Sequence, residues 1–137
     1  MSVEAMLDTN ILLYALSKAP EDRLKSEASR ELMRTVEFGT SLQILQEFYH
    51  AARRKARLKI TESMAERVVG GLLLRPFQVT TPTVFARARE LCSETGVAYW
   101  DAAILAATEA MGAPILYSED LSAGQVYGSV RVLNPFQ

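Results

Sequence analysis

Cysteine and histidine are nearly missing from this sequence: Cys92 and His50 are the only ones in 137 residues. A single cysteine excludes an intramolecular disulfide and a cysteine-ligated metal cluster, and makes a reducing compartment the default. A single histidine defeats the reading of Glu47 and His50 as half of a di-iron E-x-x-H site, which needs a second such pair; His50 is expected at the surface or facing a substrate. A surplus of either charge is also lacking. Lys plus Arg is 15 and Asp plus Glu is 16, for a formal net charge of −1, which does not describe a general nucleic-acid binder. No apolar run approaches the roughly 20 residues of a membrane helix, and no basic segment followed by an apolar stretch opens the chain. Repeats, linkers and low-complexity tracts are absent. These exclusions leave a soluble, cytoplasmic protein with no membrane contact as the expectation.

What is present is a core. Hydrophobic residues make up 49% of the chain, enough for one domain over residues 1–137 to bury a substantial interior without staples. Short β-rich runs alternate with helical ones. Strands are predicted at 3–7, 39–42, 77–81, 114–118 and 130–133, and helices at 9–16, 20–36, 43–59, 61–74, 82–96 and 99–112. In the second helix Leu24, Ala28, Leu32 and Val36 share one face, so that face is expected to look inward. Thr61 reads as an N-cap, and Pro82 and Gly96 as the punctuation of the helix between them. Alternation of this kind predicts an α/β fold, with a short parallel sheet of about five strands flanked by helices.

Parallel sheets place ligands just beyond the carboxyl ends of their strands, and acids collect there. Asp8 ends the first strand, Glu119 and Asp120 follow the fourth, and Asp101 opens the helix leading into the fourth. Each has a simpler reading: Asp8, with Thr9 and Asn10, as a helix cap; Asp101 as a partner of the helix dipole, worth about 0.3–1 kcal/mol; Asp120 as a turn cap. Glu47 differs, lying mid-helix between Leu45 and Phe48, where a charge beside a core-facing stripe is costly unless paired. Four carboxylates drawn to one place repel unless a cation neutralises them. Mg2+ or Mn2+ suits oxygen ligands and substrate phosphates, and can drive phosphodiester hydrolysis.

The stretches "MLDTNILLYA", "LQEFYHAARR", "AYWDAAILAAT" and "ILYSEDL", followed by "VRVLNPF", resemble the PIN-domain ribonucleases and, more narrowly, the VapC-type toxins of toxin–antitoxin pairs. The resemblance runs in order over nearly the whole chain. It implies a PIN-like three-layer fold and a metal-dependent endoribonuclease site of Asp8, Glu47, Asp101 and Asp120. It also implies a Mg2+ or Mn2+ cofactor, an RNA substrate, an antitoxin partner and a homodimer. Ser118 matches a small hydroxyl residue two positions before the last acid. That spacing selects Asp120 over Glu119, although Ser-Glu-Asp-Leu departs from the usual Thr-x-Asp followed by an acid and an aromatic.

Further residues bear on substrate. Arg53, Arg54, Lys55, Arg57 and Lys59 lie within seven positions. They form either a solvated helix end or a rim that tracks phosphates; Arg53, Arg54 and Arg57 are the substrate-binding candidates. Trp100 and Tyr99 could stack an unpaired base, although a core role is the commoner one. Cys92 reads as packing. Competing functions fit less well. A haloacid-dehalogenase-type phosphatase needs Asp-x-Asp, where this chain has Asn10. A receiver-type signalling domain needs an Asp after the third strand and a Lys after the fifth, where this chain has Thr81 and no lysine beyond Lys59. A catalytically idle PIN-fold binding module would not need all four acids.

Overall fold

The computed structural model describes residues 3–137. The elements follow in the order β1 (Ala5–Leu7), α1 (Thr9–Leu16), α2 (Arg23–Thr35), β2 (Phe38–Ser41), α3 (Leu42–Arg54), α4 (Glu62–Leu72), β3 (Phe77–Gln78), α5 (Pro82–Thr95), α6 (Tyr99–Ala110), β4 (Ile115–Tyr117), β5 (Val126–Tyr127) and β6 (Val130–Leu133). Single 3-10 turns at Pro20–Asp22 and Ala56–Leu58 complete the chain. The sheet order is β3-β2-β1-β4-β6-β5. Its neighbours are parallel except β5 and β6. The sheet thus has one strand more than predicted, because the antiparallel Val126–Tyr127 pair is too short to leave an alternating pattern.

β1 and β4 lie side by side at the centre, and Leu7 pairs with Tyr117. Both strands are hydrophobic and short, so each runs out at the same level. Asp8 and Ser118 are therefore the first residues past neighbouring strand ends. Met6, Leu7, Leu116, Val130 and Val132 are completely buried. α6 is buried continuously from Ala102 to Thr108, the all-round apolar surface of a helix enclosed by the core. Side-chain caps start several helices: Ser41, Thr61 and Thr81 each accept from a backbone N–H three residues on, all at 3.1 Å. Gly96 closes α5 at φ 75°, a left-handed conformation that favours glycine.

The second helix keeps only part of its predicted face: Leu32 and Val36 are partly buried against the core. Leu24 is 71% exposed, while Asp22, Ser26 and Ser29 are buried. α2 packs against α1, and Asp22, just before α2, is satisfied by Ser17 at 2.7 Å and Arg57 at 2.8 Å. The hydrogen bonds here belong to Asp22; Ser29 Oγ is buried without a partner among the described residues. The third helix stops at Arg54 rather than at 59. Lys55 leaves helical geometry at φ −85°, ψ 86°, and the next turn drives Leu58 into the core, where it is 2% exposed.

Candidate active site

Asp8 leaves β1 at the centre of the sheet and is 5% exposed. It is the N-cap of α1, with Oδ1 accepting the Thr9 N–H at 2.7 Å, so the cap reading holds as far as it goes. Its other oxygen does more: Oδ2 accepts the Ser118 hydroxyl at 2.7 Å from the neighbouring strand end. Burial pushes the Asp8 carboxyl up to about 6 from an ordinary 3.8, against the lowering by Ser118 and Thr9; the negative charges of Asp120 and Glu47 push it further the same way.

Asp120 arrives from the turn after β4. Its backbone N–H donates to Ser118 Oγ at 3.1 Å, and its Oδ2 accepts from Asn10 Nδ2 at 2.8 Å. Ser118 therefore holds Asp8 and Asp120 at once. Asp101 sits in the first turn of α6, whose N-cap is Ala98 with no side-chain cap bond. Among the described residues, the Asp101 side chain thus caps no backbone N–H. Its carboxyl is raised by partial burial and then by the charge of Asp120.

Glu47 reaches the same edge from α3. Thr9 Oγ1 donates to it at 3.1 Å and Gln43 Nε2 at 3.4 Å. It is exposed, contrary to the expected mid-helix charge pressed against the core. The inward stripe of α3 is Ile44, Leu45, Phe48 and Ala52, and Glu47 falls on the other side. Trp100 is likewise not core: it is 66% exposed, and its carbonyl accepts from Gln43 at 3.2 Å. Its ring meets Tyr99 edge-on at 5.0 Å.

Glu119 points elsewhere. Lys25 and Tyr14 donate to its carboxylate, Tyr14 at 2.7 Å. Burial pushes that carboxyl up, but these partners outweigh it and hold it below its ordinary range. Two adjacent acids thus have opposite environments: Glu119 is neutralised by a lysine, and Asp120 faces other carboxylates. Among the described residues, none of Asp8, Glu47, Asp101 or Asp120 forms an ion pair with Lys or Arg.

The basic run is largely engaged. Arg53 donates to Tyr49 at 2.9 Å and pairs with Glu62, Arg54 lies 3.2 Å from the exposed His50, and Arg57 is drawn to Asp22. Sequence reasoning overlooked the orienting roles of Thr9, Asn10 and Gln43. A signal existed in the Asp-Thr-Asn run directly after a strand, which supplies one acid and two side-chain donors at a single point.

All-oxygen donors and several carboxylates suit a hard divalent cation. Among the described residues, no three acidic, histidine or cysteine groups already stand together as a ligand set; Asp8, Glu47 and Asp120 are turned to hydrogen-bond donors. The residues fit such an ion by donor chemistry and unbalanced charge.

Comparison with known proteins agrees with this architecture. The PIN domain family model matches residues 5–128. No curated protein matches the sequence. Similar solved structures include a toxin–antitoxin complex from Klebsiella pneumoniae, at 18% identity and TM-score 0.68, covering 96% of this chain and 97% of that one. Another is VapC20 of Mycobacterium tuberculosis, a toxin that cleaves the sarcin–ricin loop, at 15% identity and TM-score 0.66, with 85% and 89% covered. A third is DNA-bound VapBC from Salmonella typhimurium, at 16% identity and TM-score 0.66, with 97% and 98% covered. At these identities the structures speak for the fold, and the family match over most of the chain decides membership: this protein belongs to the PIN domain family.

Proposed function

We propose that this protein is a Mg2+- or Mn2+-dependent endoribonuclease and the toxin of a toxin–antitoxin pair. The observation that carries the reading is that Asp8, Glu47, Asp101 and Asp120 feel one another's charge past the ends of β1 and β4, with no Lys or Arg paired to any of them among the described residues. Such an arrangement is unfavourable unless a cation joins it. Membership in the PIN family and likeness to VapC and VapBC structures support the choice of RNA and of an antitoxin partner.

Asp8, Glu47, Asp101 and Asp120 would hold the ion. When bound, it polarises the phosphoryl group and makes water acidic enough to attack at neutral pH. The chain's own residues prepare that chemistry. Ser118 fixes Asp8 and the Asp120 backbone together. Asn10 orients the Asp120 carboxylate, and Thr9 and Gln43 orient Glu47. Asp101, free of a capping duty, can turn toward ion or water. A cation at this edge would also draw the Asp8 carboxyl back down into its ionised form. The antitoxin is expected to cover the acidic edge, an arginine being well suited to bidentate contact with carboxylates, and the toxin is expected to act as a homodimer.

The test is to sequence the 5′ ends of cellular RNA after brief induction of the wild type and of Asp101→Asn. Discrete new 5′ ends with the wild type alone are expected. No new 5′ ends with either protein, both folded, would favour an idle PIN-fold binding module instead, and the same new ends with both would remove Asp101 from the site.

A further inference from the structure

We propose that the cavity beside the acid cluster is a phosphate subsite for the RNA strand and that Lys55 is its anchoring cation. This deepens the nuclease reading and rests on it. The cavity has a volume of about 150 Å3 and shares Asn10 and Asp120 with the acid cluster. Its floor is the apolar surface of Leu13, Leu58 and the Tyr14 ring, and its charged walls are Lys55, Arg57, Glu119 and Asp120.

Charge accounting separates those walls. Glu119 is neutralised by Lys25. Arg57 is committed to Asp22 at 2.8 Å, with Glu21 at 3.8 Å. Two charges in the cavity are left over: the carboxylate of Asp120, which belongs to the cluster, and the ammonium of Lys55. Among the described residues, no carboxylate lies within ion-pair range of Lys55. Its position is also set by the backbone. α3 ends one residue earlier, Lys55 takes φ −85° and ψ 86°, and the following turn buries Leu58. The break that ends the helix therefore leaves Lys55 in the wall of the cavity that Asp120 also lines.

An ammonium on a flexible stem is a point charge suited to phosphate. A strand whose scissile phosphate lies at the acids carries a neighbouring phosphate a short step away. The uncompensated cation in this cavity is placed to receive it, offsetting the repulsion that the acids exert on the same strand. Arg53 and Arg54, nominated from sequence, lie outside the cavity, and Arg57 lines it already paired.

The experiment measures binding of a fluorescein-labelled, 2′-O-methylated single-stranded octanucleotide in Mg2+ by anisotropy, across a series of salt concentrations. Oligonucleotide integrity is checked by gel, and folding by thermal midpoint. Lys55→Gln is expected to reduce the slope of log affinity against log salt by about 0.7, the share of one phosphate contact on a single strand. Lys55→Arg should keep the wild-type slope. Lys59→Gln, in the same run but outside the cavity, should leave it unchanged. On cleavable RNA, Lys55→Gln should raise KM and spare kcat. Wild-type slope and affinity in Lys55→Gln would overturn the subsite while leaving the nuclease reading intact. A folded wild type that binds no strand and cuts no RNA would overturn both.

Discussion

The Ser118 hydroxyl donates to Asp8 Oδ2 at 2.7 Å while accepting the Asp120 N–H at 3.1 Å. One buried oxygen thus links two strand ends of the central sheet and two of the four acids. Ser118→Ala leaves a buried carboxylate oxygen and a backbone N–H without their partner. A loss of about 1–3 kcal/mol in urea denaturation is expected, together with reduced cleavage because Asp8 and Asp120 lose their common brace. An unchanged midpoint would mean that water replaces the hydroxyl at no cost.

Asp8 makes the metal-free protein sensitive to pH. Its carboxyl sits at about 6 in the fold against an ordinary 3.8, so the folded state holds the proton that the unfolded state has given up. Ionisation then costs stability, starting above the lower value and complete above the higher one. Asp8→Asn carries no such cost. In metal-free buffer, the stability of the wild type relative to Asp8→Asn should therefore fall from about pH 4 to about pH 7, by on the order of 3 kcal/mol. Asp22, Glu109 and Glu119, which are held low, work in the opposite sense, but both proteins contain them and they cancel. A pH-independent difference would contradict the raised carboxyl.

Neighbouring acids should separate cleanly. Glu119→Gln gives up a partly exposed contact with Lys25 and is expected to cost about 1 kcal/mol, with cleavage and Mn2+ response kept. Asp120→Asn relieves a repulsion, so the metal-free midpoint should hold or rise, while stabilisation by Mn2+ shrinks because the ion binds more weakly. Melting curves with and without Mn2+ distinguish the two. The reverse assignment would show as loss of the metal response in Glu119→Gln.

Arg57 is structural as well as a cavity wall. Its partner Asp22 has a side chain only 9% exposed and otherwise keeps Ser17 alone as donor. Arg57→Gln should lower stability by about 1–3 kcal/mol, whereas Arg54→Gln on the exposed helix end should stay within about 0.5 kcal/mol. Equal effects in urea denaturation would contradict this division of the basic run.

The sequence was most legible where chemistry and periodicity coincide. Asp8 after β1, Asp101 at the start of α6 and Ser118–Asp120 after β4 could be placed because a parallel sheet ends its strands on one edge. Legibility failed where tertiary contact overrides pattern. Leu24 faces solvent, and the residues of α2 that are buried in its place are Ser26 and Ser29, which the apolar stripe did not mark. α3 stops early because burial of Leu58 outweighs five more residues of helix. Glu47 was singled out as a mid-helix charge beside the core, yet it is exposed; what ties it to Asp8 and its neighbours is Thr9, a contact across 38 positions that no local pattern records. Lys55 was hidden within its run because its place in the cavity wall depends on a backbone break.

Whether these carboxylates serve a metal ion in RNA hydrolysis is decided by parallel cleavage assays on wild type and Asp101→Asn. Single-stranded RNA is incubated with each protein in Mn2+ and in EDTA, with thermal midpoints measured alongside. The wild type is expected to cut in Mn2+ and stop in EDTA. Asp101→Asn should lose activity by orders of magnitude while its metal-free midpoint holds or rises. Undiminished cleavage in EDTA would show that the reaction needs no metal ion, and an Asp101→Asn protein that melts earlier yet cuts at the wild-type rate would show that Asp101 supports a helix and no chemistry.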